Sequence, residues 1–302
     1  MTLARGQTAV ITGAASGFGL EASRIAARRG MNVVMADVQP DALELASREI
    51  TALGAAVLPF KLDVSNASQV EALAEATVQR FGAPHLVFNN AGVGAGGLIW
   101  EHSLKDWEWV VGVNLMGVAH GVRVFTPRML AAAQADAGYQ GHIVNTASMA
   151  GLLCPPNMGV YNVTKAAVVS MSETLHQDLA LVTEQVHAHV LCPYFVPTGI
   201  HHSERNRPDG MKDAGLRPTK SQLIAAAMSE KAVTSGRITA AQVAQFVFDA
   251  CDANRFWIYS HPKALGGVQT RMEDQVMARN PTDPFKDRPE IGTELRRALR
   301  EG

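Results

Sequence analysis

The stretch Gln7-Thr-Ala-Val-Ile-Thr-Gly13-Ala-Ala-Ser-Gly17-Phe-Gly19 sets a short apolar run directly before a turn that contains three glycines. Residues 20–29 follow with helical periodicity. A strand, a glycine-rich turn and a helix in that order are typical of a loop that binds the pyrophosphate of a dinucleotide, because glycine allows close backbone approach and the helix N-terminus supplies amide donors. The spacing is Gly-x-x-x-Gly-x-Gly, so an ordinary turn remains an alternative interpretation of this motif alone.

A second apolar run, residues 32–37, ends in Asp37. An acidic residue about 20 residues beyond the glycines is where a dinucleotide-binding unit grips the adenosine ribose. Asp37 can accept hydrogen bonds from the ribose diol and would repel a 2′-phosphate. We therefore expect NAD(H), with NADP(H) as the alternative. A carboxylate that caps the helix near Pro40 is the competing interpretation of Asp37.

Apolar runs and helical periods alternate along the chain as far as residue 261. The runs occupy residues 7–12, 32–37, 56–62, 84–88, 142–147, 187–192 and 256–260. Strands that alternate with helices pair in parallel through right-handed crossovers. We therefore predict a single α/β domain over residues 1–261, built as a three-layer, doubly wound parallel sheet of about seven strands. Residues 194–235 of this domain are predicted to form a lid. Residues 262–302 are predicted to form a helical and charged C-terminal extension, in which residues 281–302 are a charged tail.

The composition excludes several classes of protein. The chain has 302 residues, of which 47% are hydrophobic and 18% charged, with a formal net charge of −1. A large core can be buried, and no basic stripe favours nucleic acid or an anionic membrane. Three widely spaced cysteines indicate a reducing, cytoplasmic setting rather than a disulfide framework. No stretch is typical of a secretory leader or a membrane span, and because the histidines form no ligand pattern we expect no metal.

Ser148, Tyr161 and Lys165 form a set suited to moving a proton to or from a carbonyl or alcohol oxygen. Tyr161 and Lys165 are four residues apart, which puts them on one face of a helix. Ser148 follows a predicted strand and can meet Tyr161 across the loop between them. A nearby ammonium favours phenolate, so we expect Lys165 to lower the tyrosine pKa, while the serine hydroxyl donates to the substrate oxygen.

Taken together, these motifs resemble the short-chain dehydrogenase/reductase family, of the single-domain type with Tyr-x-x-x-Lys. The resemblance covers residues 6–260 and includes Thr12-Gly-x-x-x-Gly-x-Gly19, Asp63, Asn89-Asn-Ala-Gly92, Asn114, Ser148, Tyr161 with Lys165, and residues 193–198. Trp107-Glu-Trp, Cys192-Pro-Tyr-Phe-Val-Pro-Thr198 and Ser260-His-Pro262 are similar to a bacterial subgroup of uncharacterised oxidoreductases. Residues 109–129 are more distantly similar to dehydrogenases that oxidise benzylic alcohols of lignin-derived aromatics.

The resemblance implies a role for each motif. Tyr161 would be the general acid or base, Ser148 would orient the substrate oxygen, Lys165 would also bind the nicotinamide ribose, and Asn114 would hold a water in a proton relay. Read alone, Asn114 is equally explained as an amide that holds a neighbouring backbone. The residues expected to bind the cofactor are Thr12, Gly13, Ser16, Gly17, Phe18, Gly19, Asp37, Val38, Asp63, Val64, Asn90, Ala91, Gly92, Tyr161, Lys165, Pro193, Val196 and Thr198.

The substrate is expected to be a hydrophobic secondary alcohol or ketone, aromatic or of medium size. The side chains expected near the reacting carbon are apolar or aromatic, without the arginine or lysine that a carboxylate or phosphate would need. They are Val93, Met149, Leu153, Cys154, Met158, Tyr194 and Phe195. Packing in the core is the alternative role for any one of them. Tyr194 replaces the glycine that usually follows Pro193 in the family, and adds an aromatic wall to the site.

Two other functions remain open at this point. One is a sensor or scaffold that binds NAD(H) without turnover, although binding alone needs no general acid. The other is a different activity on the same scaffold, such as epimerisation, although relatives of that kind usually carry a larger C-terminal substrate domain than residues 261–302 provide. The resemblance also implies a homotetramer or homodimer, formed through the helices predicted over residues 103–135 and 158–183.

Overall fold

The computed structural model describes residues 3–212, 215 and 217–301, so residues 213, 214 and 216 of the predicted lid lie outside the described part of the chain. Its strands are β1 Thr8–Thr12, β2 Asn32–Asp37, β3 Val57–Lys61, β4 Leu86–Asn89, β5 Gly141–Thr146, β6 Val186–Cys192 and β7 Trp257–Tyr259. They form one seven-stranded sheet in the order β3-β2-β1-β4-β5-β6-β7. Every neighbouring pair is parallel. The predicted fold class is therefore confirmed.

Helices cover both faces of the sheet. They are α1 Gly17–Arg28, α2 Pro40–Ala52, α3 Ala67–Phe81, α4 Leu104–Val111, α5 Gly117–Ala135, α6 Met149–Leu153, α7 Gly159–Val182, α8 Lys220–Thr234, α9 Ala240–Asp252, α10 Leu265–Val276 and α11 Pro289–Arg300. Successive residues of a strand face opposite sides, so Val10 joins a core with Leu73 and Phe125, while Ile11 joins one with Ile25 and Val247. Burial on both faces explains why the strands are apolar throughout rather than alternating.

Three local elements differ from the sequence prediction. The loop expected after Ser148 begins with α6, because the Ser148 hydroxyl accepts from the amide of Ala150 and caps the helix. The charged tail expected after residue 281 contains α11, whose Leu295 is buried. The long helix expected from residue 103 is interrupted by a π-helical turn, Gly112–Met116. Turns of this kind are frequent at functional sites.

The segment after β6 is fastened to the body of the domain. It forms 3-10 turns at Gly199–Asn206 and Asp209–Met211 before α8 begins. The Ser203 hydroxyl accepts from the amide of Gly94 at 2.7 Å. Arg207 forms a 2.7 Å ion pair with Asp106 on α4. The segment therefore lies over the loop that follows β4.

The C-terminal extension packs against its own chain. α10 lies against α6 and α11 lies against α8. Arg271 on α10 donates from Nη1 to the carbonyl of Leu152 on α6 at 3.2 Å. Within the described residues, none of the helices combines the length and the apolar character that crossing a bilayer requires.

Candidate active site

The carboxyl ends of the strands converge at one edge of the sheet, where the glycine turn meets the loop after β4. The Thr12 hydroxyl accepts from the amides of Asn90, at 2.9 Å, and Ala91, at 3.0 Å. Gly19 approaches the turn so closely that a Cβ there would lie 2.2 Å from the carbonyl oxygen of Gly13. Only glycine fits at that position, so the motif is more than an ordinary turn.

The N-terminus of α1 offers unpaired amide donors. Ser16 is its N-cap residue but makes no capping hydrogen bond through its side chain, and the first turn carries no acidic residue. Gly17 has a positive φ of 55°, and Thr198 lies 3.6 Å from the Cβ position of Gly17. Free amides and a positive helix dipole fit the pyrophosphate of a dinucleotide, with Phe18 in the first turn.

Asp37 lies at the end of β2 with two backbone partners. Its Oδ2 accepts from the amide of Ala15 and its Oδ1 from that of Gln39, both at 3.0 Å. The carboxylate therefore ties β2 to the glycine turn, and Val38 follows it along the same edge. Asp63, at the end of the next strand out, accepts from the amide and hydroxyl of Ser65. Both carboxylates serve local structure in addition to any contact with a ligand.

Asn114 lies in the π-helical turn and holds a neighbouring backbone. Its Oδ1 accepts from the amide of Val93 at 2.8 Å, and its Nδ2 donates to the carbonyl of Val93 at 2.9 Å. The backbone at Gly92 lies close to Asn114. A Cβ atom on Gly92 would be 3.3 Å from Asn114 Oδ1 and 3.6 Å from Lys165 Nζ. The backbone-holding interpretation of Asn114 matches these contacts, and the implied relay through a water stays a prediction.

Ser148 and Tyr161 meet in the interior of the site. Ser148 follows β5, and its hydroxyl lies 3.4 Å from the carbonyl of Pro193. Tyr161 lies in the first turn of α7 and is buried. Burial raises the pKa of Tyr161, and the neighbouring Ser148 hydroxyl acts in the opposite direction. The expectation that the tyrosine pKa would be lowered is therefore wrong for this structure, because desolvation outweighs its partner.

Lys165 lies one turn further along α7 and is buried at 2% exposure. Its Nζ donates to the carbonyl of Thr146 at 2.8 Å and lies 5.7 Å from the centre of the Tyr161 ring. Burial lowers the pKa of Lys165 to about 8. The lysine is therefore near, but not hydrogen-bonded to, the phenol whose charge it was expected to stabilise.

A family model of the short chain dehydrogenase matches residues 7–209. The chain belongs to the short chain dehydrogenase family. A short chain dehydrogenase/reductase from Burkholderia phymatum, solved in complex with NAD, is 51% identical; the alignment covers 94% of this chain and 99% of that one, with a TM-score of 0.90. The dehydrogenase/reductase of CLA biosynthesis from Lactiplantibacillus plantarum is 35% identical over 87% of this chain and 91% of its own length. A C alpha-dehydrogenase from Sphingobium is 28% identical over 88% of this chain and 84% of its own length.

The apolar residues expected near the substrate fall into two groups in this short chain dehydrogenase. Val93 and Met149 are buried in core clusters, where the alternative packing role fits them. Leu153 is the last residue of α6, and Cys154 and Met158 lie between α6 and α7. Cys154 is exposed and has a positive φ of 49°. Such a backbone strain in a residue other than glycine is common beside ligand sites.

Two neighbouring aromatic side chains stand in the segment 193–198, where the sequence predicts an aromatic wall of the site. The rings of Tyr194 and Phe195 are 4.6 Å apart, and Tyr194 is half-exposed. Val196 is buried against the core. The ring of His261 lies 5.8 Å from that of Tyr194. The sequence analysis assigned no role in the site to Ser260 or His261. They follow β7, and the carboxyl end of each of the other strands had been given a site residue, which was a signal that could have pointed to them.

Two histidines and a cysteine come together elsewhere in the described chain, away from this edge. Cys251 and the rings of His142 and His189 are buried within reach of one another. His142 Nδ1 and His189 Nε2 are 3.0 Å apart, and His189 Nδ1 lies 2.8 Å from the carbonyl of Arg255. Burial lowers the pKa of both histidines, so a hydrogen bond between neutral rings accounts for the cluster. The absence of a metal stays a prediction.

Proposed function

We propose that this protein is an NAD(H)-dependent oxidoreductase that interconverts a hydrophobic secondary alcohol and its ketone. The observation that carries the proposal is the meeting of Ser148 and Tyr161, with Lys165 one turn away. Ser148 and Lys165 lie at the carboxyl end of β5, and Lys165 Nζ is 3.6 Å from the Cβ position of Gly92 in the loop after β4. A hydroxyl, a phenol and an ammonium in that arrangement suit acid–base chemistry on an oxygen atom.

The roles follow from the charges that the reaction creates. When bound, the nicotinamide supplies or accepts the hydride. In reduction, the phenol of Tyr161 gives its proton to the carbonyl oxygen, and in oxidation it takes the proton back. The Ser148 hydroxyl donates to the same oxygen, where negative charge develops. The ammonium of Lys165 stabilises the phenolate that reduction leaves behind.

The cofactor preference rests on Asp37. A carboxylate at the end of β2 accepts hydrogen bonds from a ribose diol and repels a 2′-phosphate. The Burkholderia phymatum relative, which is 51% identical, was solved with NAD. Asp37 already accepts two backbone amides, and these leave further acceptor sites on its two oxygens. We therefore expect NAD(H) to be used in preference to NADP(H).

The substrate class rests on the walls of the site. Tyr194, Phe195 and Leu153 offer aromatic and aliphatic surface rather than charge. Apolar walls with a few polar groups are the usual composition of a site for a small hydrophobic molecule. Aromatic or medium-sized secondary alcohols and ketones fit such walls better than sugars, acids or phosphorylated compounds.

The proposal is tested by turnover and binding measured on the same variants. Wild-type protein should reduce aromatic ketones with NADH at a kcat/KM at least roughly tenfold above that with NADPH. Tyr161→Phe should lower kcat by at least about a hundredfold, because the proton donor is lost. NADH fluorescence titration should give nearly the same Kd for Tyr161→Phe as for wild type.

Tyr139→Phe is the matched control. Tyr139 is also buried, and its hydroxyl bonds only the carbonyl of Pro84, at the opposite edge of the sheet. Its variant should keep full turnover. Wild-type protein that binds NADH but turns over no alcohol or ketone would establish the sensor in place of the enzyme, and turnover of polar or charged compounds alone would overturn the substrate class.

A further inference from the structure

The end of β7 carries a polar pair in contact with the loop that follows β6. Ser260 is 2% exposed. Its hydroxyl oxygen accepts from the amide of Tyr194 at 2.9 Å and lies 2.8 Å from Nδ1 of His261. Because the buried Ser260 hydroxyl bonds both groups, it holds the backbone at Tyr194 and the ring of His261 in fixed positions.

The directions of these hydrogen bonds follow from the number of protons available. The Tyr194 amide can only donate, so the Ser260 oxygen accepts that bond and has one proton left to give. Nδ1 of a neutral His261 is the acceptor within reach, and burial lowers the pKa of His261, which favours the neutral ring. The bonds therefore run in one direction, from Tyr194 through Ser260 to His261.

The other end of the same peptide unit faces the catalytic serine. The amide of Tyr194 and the carbonyl of Pro193 belong to one planar group, so a contact that fixes one fixes the other. The Pro193 carbonyl accepts from the amide of Met149 at 2.9 Å and lies 3.4 Å from the Ser148 hydroxyl. The chain of bonds thus links His261 to the hydroxyl that is proposed to hold the substrate oxygen.

The ring of His261 makes a second contact with the same residue. It packs edge-on against Tyr194, with ring centres 5.8 Å apart. Tyr194 occupies the place where the family's glycine is expected, so an aromatic ring must be packed at this position. His261 therefore holds both the peptide and the ring of Tyr194.

We propose that Ser260 and His261 are positioning residues of the active site, which set the Pro193–Tyr194 peptide and through it the orientation of the Ser148 hydroxyl. The proposal rests on the proposed oxidoreductase function. Without the Ser260 hydroxyl, the peptide loses the hydrogen bond at its Tyr194 end and keeps only the bond from the Met149 amide at its Pro193 end. The Pro193 carbonyl can then shift, and with it the Ser148 hydroxyl that donates to it. The loss falls on the chemical step rather than on cofactor binding.

Paired variants separate positioning from simple packing. Ser260→Ala should lower kcat for ketone reduction by at least roughly tenfold, because a misaligned donor loses stabilisation of the developing charge. Ser260→Thr, which keeps the hydroxyl, should stay within about threefold of wild type. The Kd for NADH should be unchanged in both. Ser47→Ala is the matched control, since Ser47 is a buried serine on α2 whose hydroxyl bonds only the carbonyl of Glu44.

His261 supplies a second pair, which decides the matter if Ser260→Ala does not fold. His261→Phe keeps an aromatic ring against Tyr194 but removes the acceptor, and should lower kcat by roughly fivefold. His261→Asn restores an acceptor near the place of Nδ1 and should recover most of that loss. Wild-type turnover together with unchanged kcat in Ser260→Ala or His261→Phe overturns this proposal alone, whereas no wild-type turnover overturns the proposed function and this proposal with it.

Discussion

At the scale of single residues, desolvation decides the charge of the two groups that are proposed to carry out the proton transfer. Tyr161 and Lys165 are both buried, and burial disfavours the charged form of each. The pKa of the phenol rises and that of the ammonium falls to about 8. At neutral pH the phenol of Tyr161 therefore keeps its proton. The ammonium of Lys165 is also protonated at neutral pH but loses its proton as the pH rises past about 8.

These shifts predict opposite pH profiles for the two directions. For ketone reduction, kcat/KM should be level near neutral pH and fall about tenfold per unit above pH about 8, because Lys165 loses the charge that stabilises the phenolate. For alcohol oxidation, kcat/KM should rise with pH, since the phenol must first lose its proton. Steady-state kinetics in both directions across that range would measure the two profiles.

Lys165→Arg provides the comparison for the reduction profile. A guanidinium keeps its charge throughout the range, so whatever activity remains should no longer fall near pH 8. The Kd for NADH, measured at each pH, separates loss of cofactor from loss of chemistry. A reduction rate that increases through pH 8 contradicts the assignment of these two groups.

Residue positions were predicted better than residue environments. The spacing of Tyr161 and Lys165 placed both on one face of α7, because helical periodicity depends on neighbours in the sequence. The direction of the tyrosine pKa shift was predicted wrongly, because burial depends on the packing of distant elements. In the same way, the partner of Asn114 is the backbone of Val93, 21 residues away, and no local pattern encodes that contact.

At the scale of elements, the strands were predicted and the small helices were not. Strands buried on both faces are continuous apolar runs, which stand out in the sequence. α6 has only five residues and lies in a stretch rich in small residues and proline, so its periodicity is too short to detect. α11 is strongly charged, and only Leu295 and Gly292 are buried.

The C-terminal extension contacts the end of α6 through α10. A Cβ at Gly267 would lie 3.0 Å from Cδ2 of Leu153, which is one of the residues expected near the substrate. Arg271 holds the adjoining carbonyl of Leu152. We therefore expect α10 to set the position of the end of α6 relative to Tyr161.

Gly267→Leu is therefore predicted to narrow the site. The added side chain displaces Leu153 towards the substrate, so KM for a bulky aromatic ketone should rise about tenfold, in the range that overpacking costs. KM for a small aliphatic ketone and the Kd for NADH should change little. Steady-state kinetics with the two ketones would measure the difference.

Gly266→Leu is the matched control, because a Cβ at Gly266 meets nothing within 4 Å. Both variants replace a glycine of the same helix, so a general effect on helix stability should be shared. Equal changes in KM for the two variants, or none in Gly267→Leu, would show that α10 does not set the width of the site.

At the scale of the whole molecule, one surface carries apolar side chains that the described chain leaves uncovered. Met116, in the π-helical turn, is 41% exposed and Val163, on α7, is 45% exposed. The two elements pack against each other, so both residues belong to one side of the domain. This is the side through which the resemblance to the family implies assembly into a homotetramer or homodimer, and burying the two side chains in such an interface would stabilise it.

Charge placed on that surface should therefore break the assembly. Val163→Arg and Met116→Arg together should reduce the sedimentation coefficient and the mass from light scattering, because a buried unpaired guanidinium at an interface is strongly unfavourable. Leu45→Arg is the control, since Leu45 is 68% exposed on α2, which lies outside the predicted interface. An unchanged mass in the double variant, or a wild-type mass equal to one chain, would rule out assembly through α7. If the assembly does break, turnover measured on the separated chains shows whether the site, which in this structure is built from one chain, needs its neighbour to work.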